Sequence, residues 1–208
     1  MFRGYETTPR QMHRPSSNRP AVWDRYRWHR GGGKPFGKGG RGESIAPKSY
    51  RGFDDTQIPS KEIFKEMFRV SKNQIIFGGN YFIEHLSNSP CWLVWDKDNS
   101  GNFADCELAW TSFKTAVRKF KFRWNGMLQE HMGDDKEIRH HPTQKPVDLM
   151  AWCLTNYSKE GDIILDPFLG SGTTAIACKK LKRNYIGVEV SDYYCEIANQ
   201  RLRQEILL

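Results

Sequence analysis

The stretch that most constrains the fold runs from Gly161 to Glu189, GDIILDPFLGSGTTAIACKKLKRNYIGVE. Asp162 to Leu165 is a short apolar run of β-branched type, which predicts a strand. Gly170 and Gly172 punctuate a turn, Thr173 to Leu181 has helical composition, and Tyr185 to Val188 is apolar again. The order strand, glycine turn, helix, strand is a βαβ half-unit. In such a unit glycines let a ligand approach the backbone, the helix start offers free N–H groups, and an acid after the second strand can grip a ribose. Glu189 stands 19 residues after Gly170, close to the spacing such an acid requires. The spacing alone is equally that of an ordinary βα turn followed by a surface glutamate.

The wording around the turn separates these readings. Asp166-Pro167-Phe168-Leu169-Gly170-Ser171-Gly172-Thr173-Thr174, with His141-Pro142-Thr143-Gln144-Lys145-Pro146 upstream, resembles the DNA amino-methyltransferases. These enzymes methylate adenine N6 or cytosine N4 with S-adenosylmethionine. The order, pocket-closing segment before glycine turn, resembles the permuted β-type group, and the resemblance extends from about Gly31 to the C-terminus. It implies an α/β fold, a Rossmann-like methyltransferase sheet with helices on both faces. It further implies that Asp166 holds the cofactor's amino group, that Phe168 lines its pocket, and that Gly170, Ser171, Gly172, Thr173 and Thr174 face its methionine end. Glu189 would bind the ribose hydroxyls. His141, Thr143, Gln144 and Lys145 would close the other side.

A chain of 208 residues is long enough for one α/β domain and short for two. Neither a signal peptide nor a long apolar run is visible, so a soluble cytoplasmic protein without a membrane partner is expected. The cysteines Cys91, Cys106, Cys153, Cys178 and Cys195 are odd in number and unclustered, which argues against a disulfide framework and a zinc site. His140 and His141 have no acid or cysteine at ligand spacing, so no metal is expected. The net charge of +8 lies entirely in residues 1 to 50, which hold eleven Lys and Arg against three Asp and Glu. The remainder is neutral.

Residues 1 to 30 are rich in Arg, Pro, Trp, Tyr and His, with no apolar period, and read as a basic head separate from a methyltransferase domain over 31 to 208. The β-type enzymes begin with a strand ending in Asp-Pro-Pro-Tyr, the catalytic motif, and this sequence lacks it. The catalytic residues are therefore unassigned. Read one base later, codons for Tyr5 to Arg25 are compatible with Met-Lys-Leu-Leu-Pro-Asp-Lys-Cys-Ile-Asp-Leu-Val-Val-Thr-Asp-Pro-Pro-Tyr-Gly-Ile-Gly. Trp23 followed by Asp24 forces Gly, and Met12 followed by His13 forces Cys. The head thus reads as an out-of-frame translation, with the frame restored near Arg30 to Gly33. The missing strand would lie beside Asp162 to Leu165, in the middle of the sheet.

Within the neutral body, Pro59 to Val70 predicts a helix with Ser60 as cap and Ile63, Phe64, Met67 and Phe68 at core spacing. Gln74 to Phe77 and Cys91 to Trp95 predict strands, with Trp92 and Trp95 as core or rim packing. Phe113 to Trp124 interleaves Lys114, Arg118, Lys119, Lys121 and Arg123 with Phe113, Phe120, Phe122 and Trp124, a pattern suited to double-stranded DNA. Period-two alternation from Lys119 to Trp124 equally predicts a strand with one apolar and one solvated basic face. Leu128 to Arg139 reads as a polar loop. Pro146 opens a helix whose apolar face is Val147, Leu149, Met150, Cys153 and Leu154, and Ser191 or Asp192 caps a last helix through Leu202.

The resulting expectation is a site-specific, S-adenosylmethionine-dependent DNA methyltransferase of restriction-modification type. Adenine N6 is favoured because the shifted motif begins with Asp. Cytosine N4, or a catalytically dead relic that binds cofactor or DNA, are the alternatives.

Overall fold

The computed structural model describes residues 59–99, 104–125, 128–141 and 143–204. The head, the glycine-rich loop that follows it and Pro142 lie outside the described residues, as does the proposed boundary near residue 30.

Helix α1 (Lys61–Val70) starts at Ser60, whose carbonyl accepts the N–H groups of Ile63 and Phe64. Its one fully buried side chain is Phe64, packed on Phe82 and His85 at ring-centroid distances of 5.5 and 4.8 Å. Ile63, expected in the core, is 37% exposed. The apolar stripe is narrower than the spacing suggested: Phe64 is buried, Met67 and Phe68 are half-buried, and Ile63 lies at the edge.

Strands β1 (Ile75–Phe77), β2 (Trp92–Asp96), β3 (Cys106–Thr111) and β4 (Arg118–Lys121) form a mixed sheet in the order β1-β3-β2-β4. β3 is antiparallel to both neighbours, whereas β4 runs parallel to β2. Because side chains alternate across a strand, β2 sends Leu93 and Trp95 to one face. There they join Ala109 in a core closed by helix α2 (Val147–Tyr157), through Val147, Leu149, Met150, Cys153 and Leu154. Burying a side chain such as Leu149, 1% exposed, contributes roughly 1.5–3 kcal/mol. On the other face Trp110 meets Phe68 of α1 edge-on at 5.9 Å. Helices therefore cover both faces of this sheet.

The segment after β4 turns into a short antiparallel pair, β5 (Trp124–Asn125) with β6 (Leu128–Gln129). Leu128 to Arg139 is thus not wholly loop. β7 (Ile163–Asp166), α3 (Thr173–Lys180) and β8 (Asn184–Gly187) form the expected βαβ unit, with the strands parallel and Leu165 opposite Ile186. Helix α4 (Asp192–Arg203) begins after Ser191 and packs on α3.

Among the described residues, β7 pairs only with β8, and β1 only with β3. Ile164 packs against the core, but on the other face of β7, and on β8, apolar residues remain exposed: Ile163 is 67% and Ile186 54% exposed. A strand of Ile-Ile-Leu composition normally has both faces and both edges covered.

All five cysteines are free, and burial pushes the Cys153 thiol up to about 12. Among the described residues no cluster of metal-ligating side chains occurs, and no helix is long and apolar enough to cross a membrane.

Candidate cofactor site

The turn between β7 and α3 is built by two glycines in left-handed backbone, Gly170 at φ 56° and Gly172 at φ 86°. Such angles cost a side-chain-bearing residue strain that glycine avoids. A Cβ on Gly172 would lie 2.9 Å from Ala198 Cβ, so this glycine also lets α4 close on the turn. A Cβ on Gly170 would meet nothing nearer than 3.9 Å. A side chain there would touch the His141 ring and the Phe168 carbonyl at ordinary contact distance, without a clash.

Glu189, which follows β8, reaches back across the strand ends. Its Oε2 accepts the Gly170 N–H at 2.8 Å, and its Oε1 accepts the Ser191 N–H at 2.9 Å. Each oxygen keeps a second lone pair, and a carboxylate so held presents those acceptors in a fixed direction. Asp166, at the end of β7, accepts the Phe168 N–H at 3.0 Å, and the Phe168 ring is 56% exposed. Asp166, Phe168, Gly170 and Glu189 are thus brought together at the C-terminal ends of two parallel strands, where α/β sheets bind ligands. Clefts of about 350 and 430 Å³ elsewhere are lined around Trp92 and Trp110, and around His131, Asp148 and Lys180. Neither includes a residue of the glycine turn.

The His141–Lys145 segment lies against this turn. His141 is buried beside Tyr194, ring centroids 4.3 Å apart, and its Nδ1 accepts the Thr143 N–H at 3.2 Å. Burial holds its pKa below the ordinary histidine value, against the opposing pull of the Glu189 carboxylate. Thr143 is exposed, and Lys145 places its ammonium 5.0 Å from the Phe77 ring centroid.

Gln144 and Ser171 are of a different kind. The Gln144 amide donates to Glu137 Oε1 at 2.8 Å and to the Ile138 carbonyl at 3.1 Å. Its oxygen accepts from the His140 N–H at 2.8 Å and the Ser171 hydroxyl at 3.0 Å. All four hydrogen-bonding positions are filled within the protein. Ser171, 3% exposed, is similarly engaged, and Thr173 is buried on the first turn of α3, with Thr174 half-buried beside it. These side chains hold the turn. Glu137 and Arg201, which the sequence did not single out, complete this network; no local pattern signals a pair so far apart in the chain.

The basic stretch resolves into alternating faces. Phe122 and Trp124 are buried, Phe120 stacks on Trp152 at 5.3 Å, and Phe113 sits 4.7 Å from Tyr157. The aromatics are therefore committed to the interior. Outside, Lys119 pairs with Asp96 at 3.2 Å, Lys121 with Asp98 at 2.8 Å, and Arg123 with Asp98 as well. Hydrogen bonds from Lys121 and then Arg123 hold the Asp98 carboxyl below the usual range. Lys114 and Arg118 are exposed and enter none of these ion pairs.

Residues 48–200 match the family model described as DNA methylase, the N6/N4 methyltransferases. The chain belongs to this family. Among curated relatives, the type II methyltransferase M.HinfI of Haemophilus influenzae is 42% identical over 152 residues, covering 57% of this chain and 42% of that protein. The type II methyltransferase M2.DpnII of Streptococcus pneumoniae is 32% identical over 135 residues, covering 54% and 50%. The chain spans half or less of the length of these DNA methylases. The crystal structure of M1.HpyAVI in complex with SAM superposes with a TM-score of 0.50 at 26% identity, covering 69% of this chain and 83% of that one. The fold is accordingly the Rossmann-like α/β fold of S-adenosylmethionine-dependent DNA methyltransferases.

Proposed function

We propose that this chain is a DNA methyltransferase that uses S-adenosylmethionine to methylate the exocyclic N6 of adenine in double-stranded DNA, as part of a restriction-modification pair. The observation that carries the reading is the bond from the Gly170 N–H to Glu189 Oε2. It ties the glycine turn to the acid at the end of β8 and leaves carboxylate lone pairs for ribose hydroxyls. The residues fit the cofactor. No atom crowds Gly170 closer than 3.9 Å, an exposed ring at Phe168 offers a surface for an adenine, and Asp166 at the end of β7 is an acceptor for its amino group. His141 lies beside Gly170, and with Thr143 and Lys145 of the same segment it would close the other side. The relatives named as type II methyltransferases and the SAM complex of M1.HpyAVI support the same assignment.

When bound, S-adenosylmethionine supplies an electrophilic sulfonium methyl. The chain's own task is to orient it toward an amine nitrogen, and positioning of this kind carries a large part of such a barrier. An adenine amine also needs an acceptor and an aromatic surface for the base turned out of the duplex. The sequence as written contains no Asp-Pro-Pro-Tyr to provide them. Among the described residues β7 pairs on one side only and Ile163 is exposed, which favours a second reading for the chain as written, cofactor binding without methyl transfer.

Calorimetric titration with S-adenosylmethionine tests the assignment. The wild type is expected to bind, and Asp166→Ala to bind more weakly. Equal affinities would remove Asp166 from the site, and a wild type that does not bind would overturn the function.

A further inference from the structure

Glu137 sits at a junction of four chain segments. Its main chain is clasped by Gln129 of β6: the Glu137 N–H donates to Gln129 Oε1 and Gln129 Nε2 donates to the Glu137 carbonyl, both at 2.9 Å. Its carboxylate Oε2 accepts the Val147 N–H, the first of α2, at 2.9 Å, an orphan donor that a helix start must satisfy. Oε1 accepts from Gln144 Nε2 at 2.8 Å and from Arg201 Nη2 at 3.0 Å. Arg201 in turn uses its other terminal nitrogen on the glycine turn, donating to the Ser171 carbonyl at 2.8 Å and the Ser171 hydroxyl at 3.1 Å. The pair is largely withdrawn from water, with side chains 8% exposed for Arg201 and 22% for Glu137.

Ser171 lies between the two left-handed glycines, and its carbonyl belongs to the peptide it shares with Gly172, so the bond from Arg201 fixes that peptide of the turn. Gln144 lies in the segment flanking that turn. A planar guanidinium holds a carboxylate and a backbone carbonyl on two separate nitrogens in fixed geometry, whereas an ammonium presents all its donors from a single nitrogen. Salt bridges this buried are weak evidence for a stabilising role, because desolvation offsets the attraction. Their value lies in the geometry they impose.

We infer that Glu137 and Arg201 are positioning residues for the cofactor, acting through Gln144 and Ser171 to hold the glycine turn and the His141–Lys145 segment in binding register. This rests on the function proposed above. The test compares S-adenosylmethionine affinity by calorimetry with the melting temperature for wild type, Arg201→Lys, Glu137→Gln, Asp166→Ala and Phe64→Leu, titrated below each unfolding transition. Arg201→Lys keeps the charge beside Glu137 but offers one nitrogen where Arg201 uses two, Nη2 on Glu137 and Nη1 on Ser171. Glu137→Gln turns an amide donor against Val147 N–H or Gln144 Nε2. Each should weaken binding about tenfold, the effect expected from losing one or two charge-assisted hydrogen bonds. Phe64→Leu, in the distant α1 contact, should lower the melting temperature with affinity unchanged.

Affinities of Arg201→Lys and Glu137→Gln within about twofold of wild type, with Asp166→Ala weakened, would overturn the positioning role and leave the site assignment standing. Equal weakening by Phe64→Leu would reduce the pair to a general stability contribution and overturn it too. A wild type that fails to bind would overturn the parent function, and this inference with it.

Discussion

Three glycines share left-handed backbone but not surroundings, and alanine at each separates backbone strain from close packing. Gly172 stands at φ 86° with Ala198 Cβ 2.9 Å and Ala198 Cα 3.1 Å from the position a Cβ would take. Gly161 has the same φ with nothing within 4 Å, and Gly170, at φ 56°, has its nearest neighbour at 3.9 Å. Strain alone costs about 1–2 kcal/mol at each position. At Gly172 the new methyl must also push α4 off the turn, and overpacking adds roughly 1–3 kcal/mol. Gly172→Ala should therefore destabilise by about 2–5 kcal/mol, against about 1–2 kcal/mol for Gly161→Ala and Gly170→Ala. At this chain length 1 kcal/mol moves the melting temperature by about 2–4 °C, so Gly172→Ala should melt about 2–12 °C below the other two. Urea denaturation followed by far-UV circular dichroism supplies the free energies. If Gly172→Ala and Gly161→Ala lose the same stability, the close α3–α4 contact through Gly172 is not what the turn depends on.

Replacing Lys119, Lys121 and Arg123 by Gln should reduce the log–log salt slope of DNA binding by about one, because Asp96 and Asp98 already neutralise two of the three cations; each phosphate contact is worth about 0.9. A reduction near three would mean that the pairs open on DNA, and no change would make the strand a solvated face only. For His141, burial favours the neutral ring in the fold, so the unfolded chain binds the proton first as pH falls. Stability should be full above about pH 6.5, the ordinary histidine value, and decline below it toward the lowered folded pKa, as Nδ1 ceases to accept from Thr143. Urea midpoints between pH 7.5 and 5 should fall more steeply for wild type than for His141→Gln; parallel declines would exclude His141 as the titrating group.

The βαβ unit was legible because its signals are local: a β-branched run, two glycines, a helical stretch and an acid at a fixed distance. The same holds for α2, where five residues at helical spacing all proved buried. β3 was not anticipated. Ala109 faces the α2 core while Trp110 faces α1, so both faces are covered and no alternation marks the strand. The roles of Glu137 and Arg201 were invisible for another reason. They stand 64 residues apart and meet only once α4 has folded over the turn. Gln144 and Ser171 carry the resemblance in sequence, yet their side chains are consumed by that network. Motif wording singled out the segments of the proposed site but could not separate residues left open to a ligand from residues that hold the others in place.

The most direct test of the account is tritiated-methyl transfer from S-adenosylmethionine to unmethylated double-stranded DNA. It compares the chain as written with one encoded by the single-base correction upstream of Gly31, followed by nucleoside analysis of the product. The account predicts little or no transfer by the chain as written and formation of N6-methyladenine by the corrected chain, whose restored strand carries the carboxylate and the tyrosine together. Robust transfer by the chain as written would contradict it and make the basic head a working part of the enzyme.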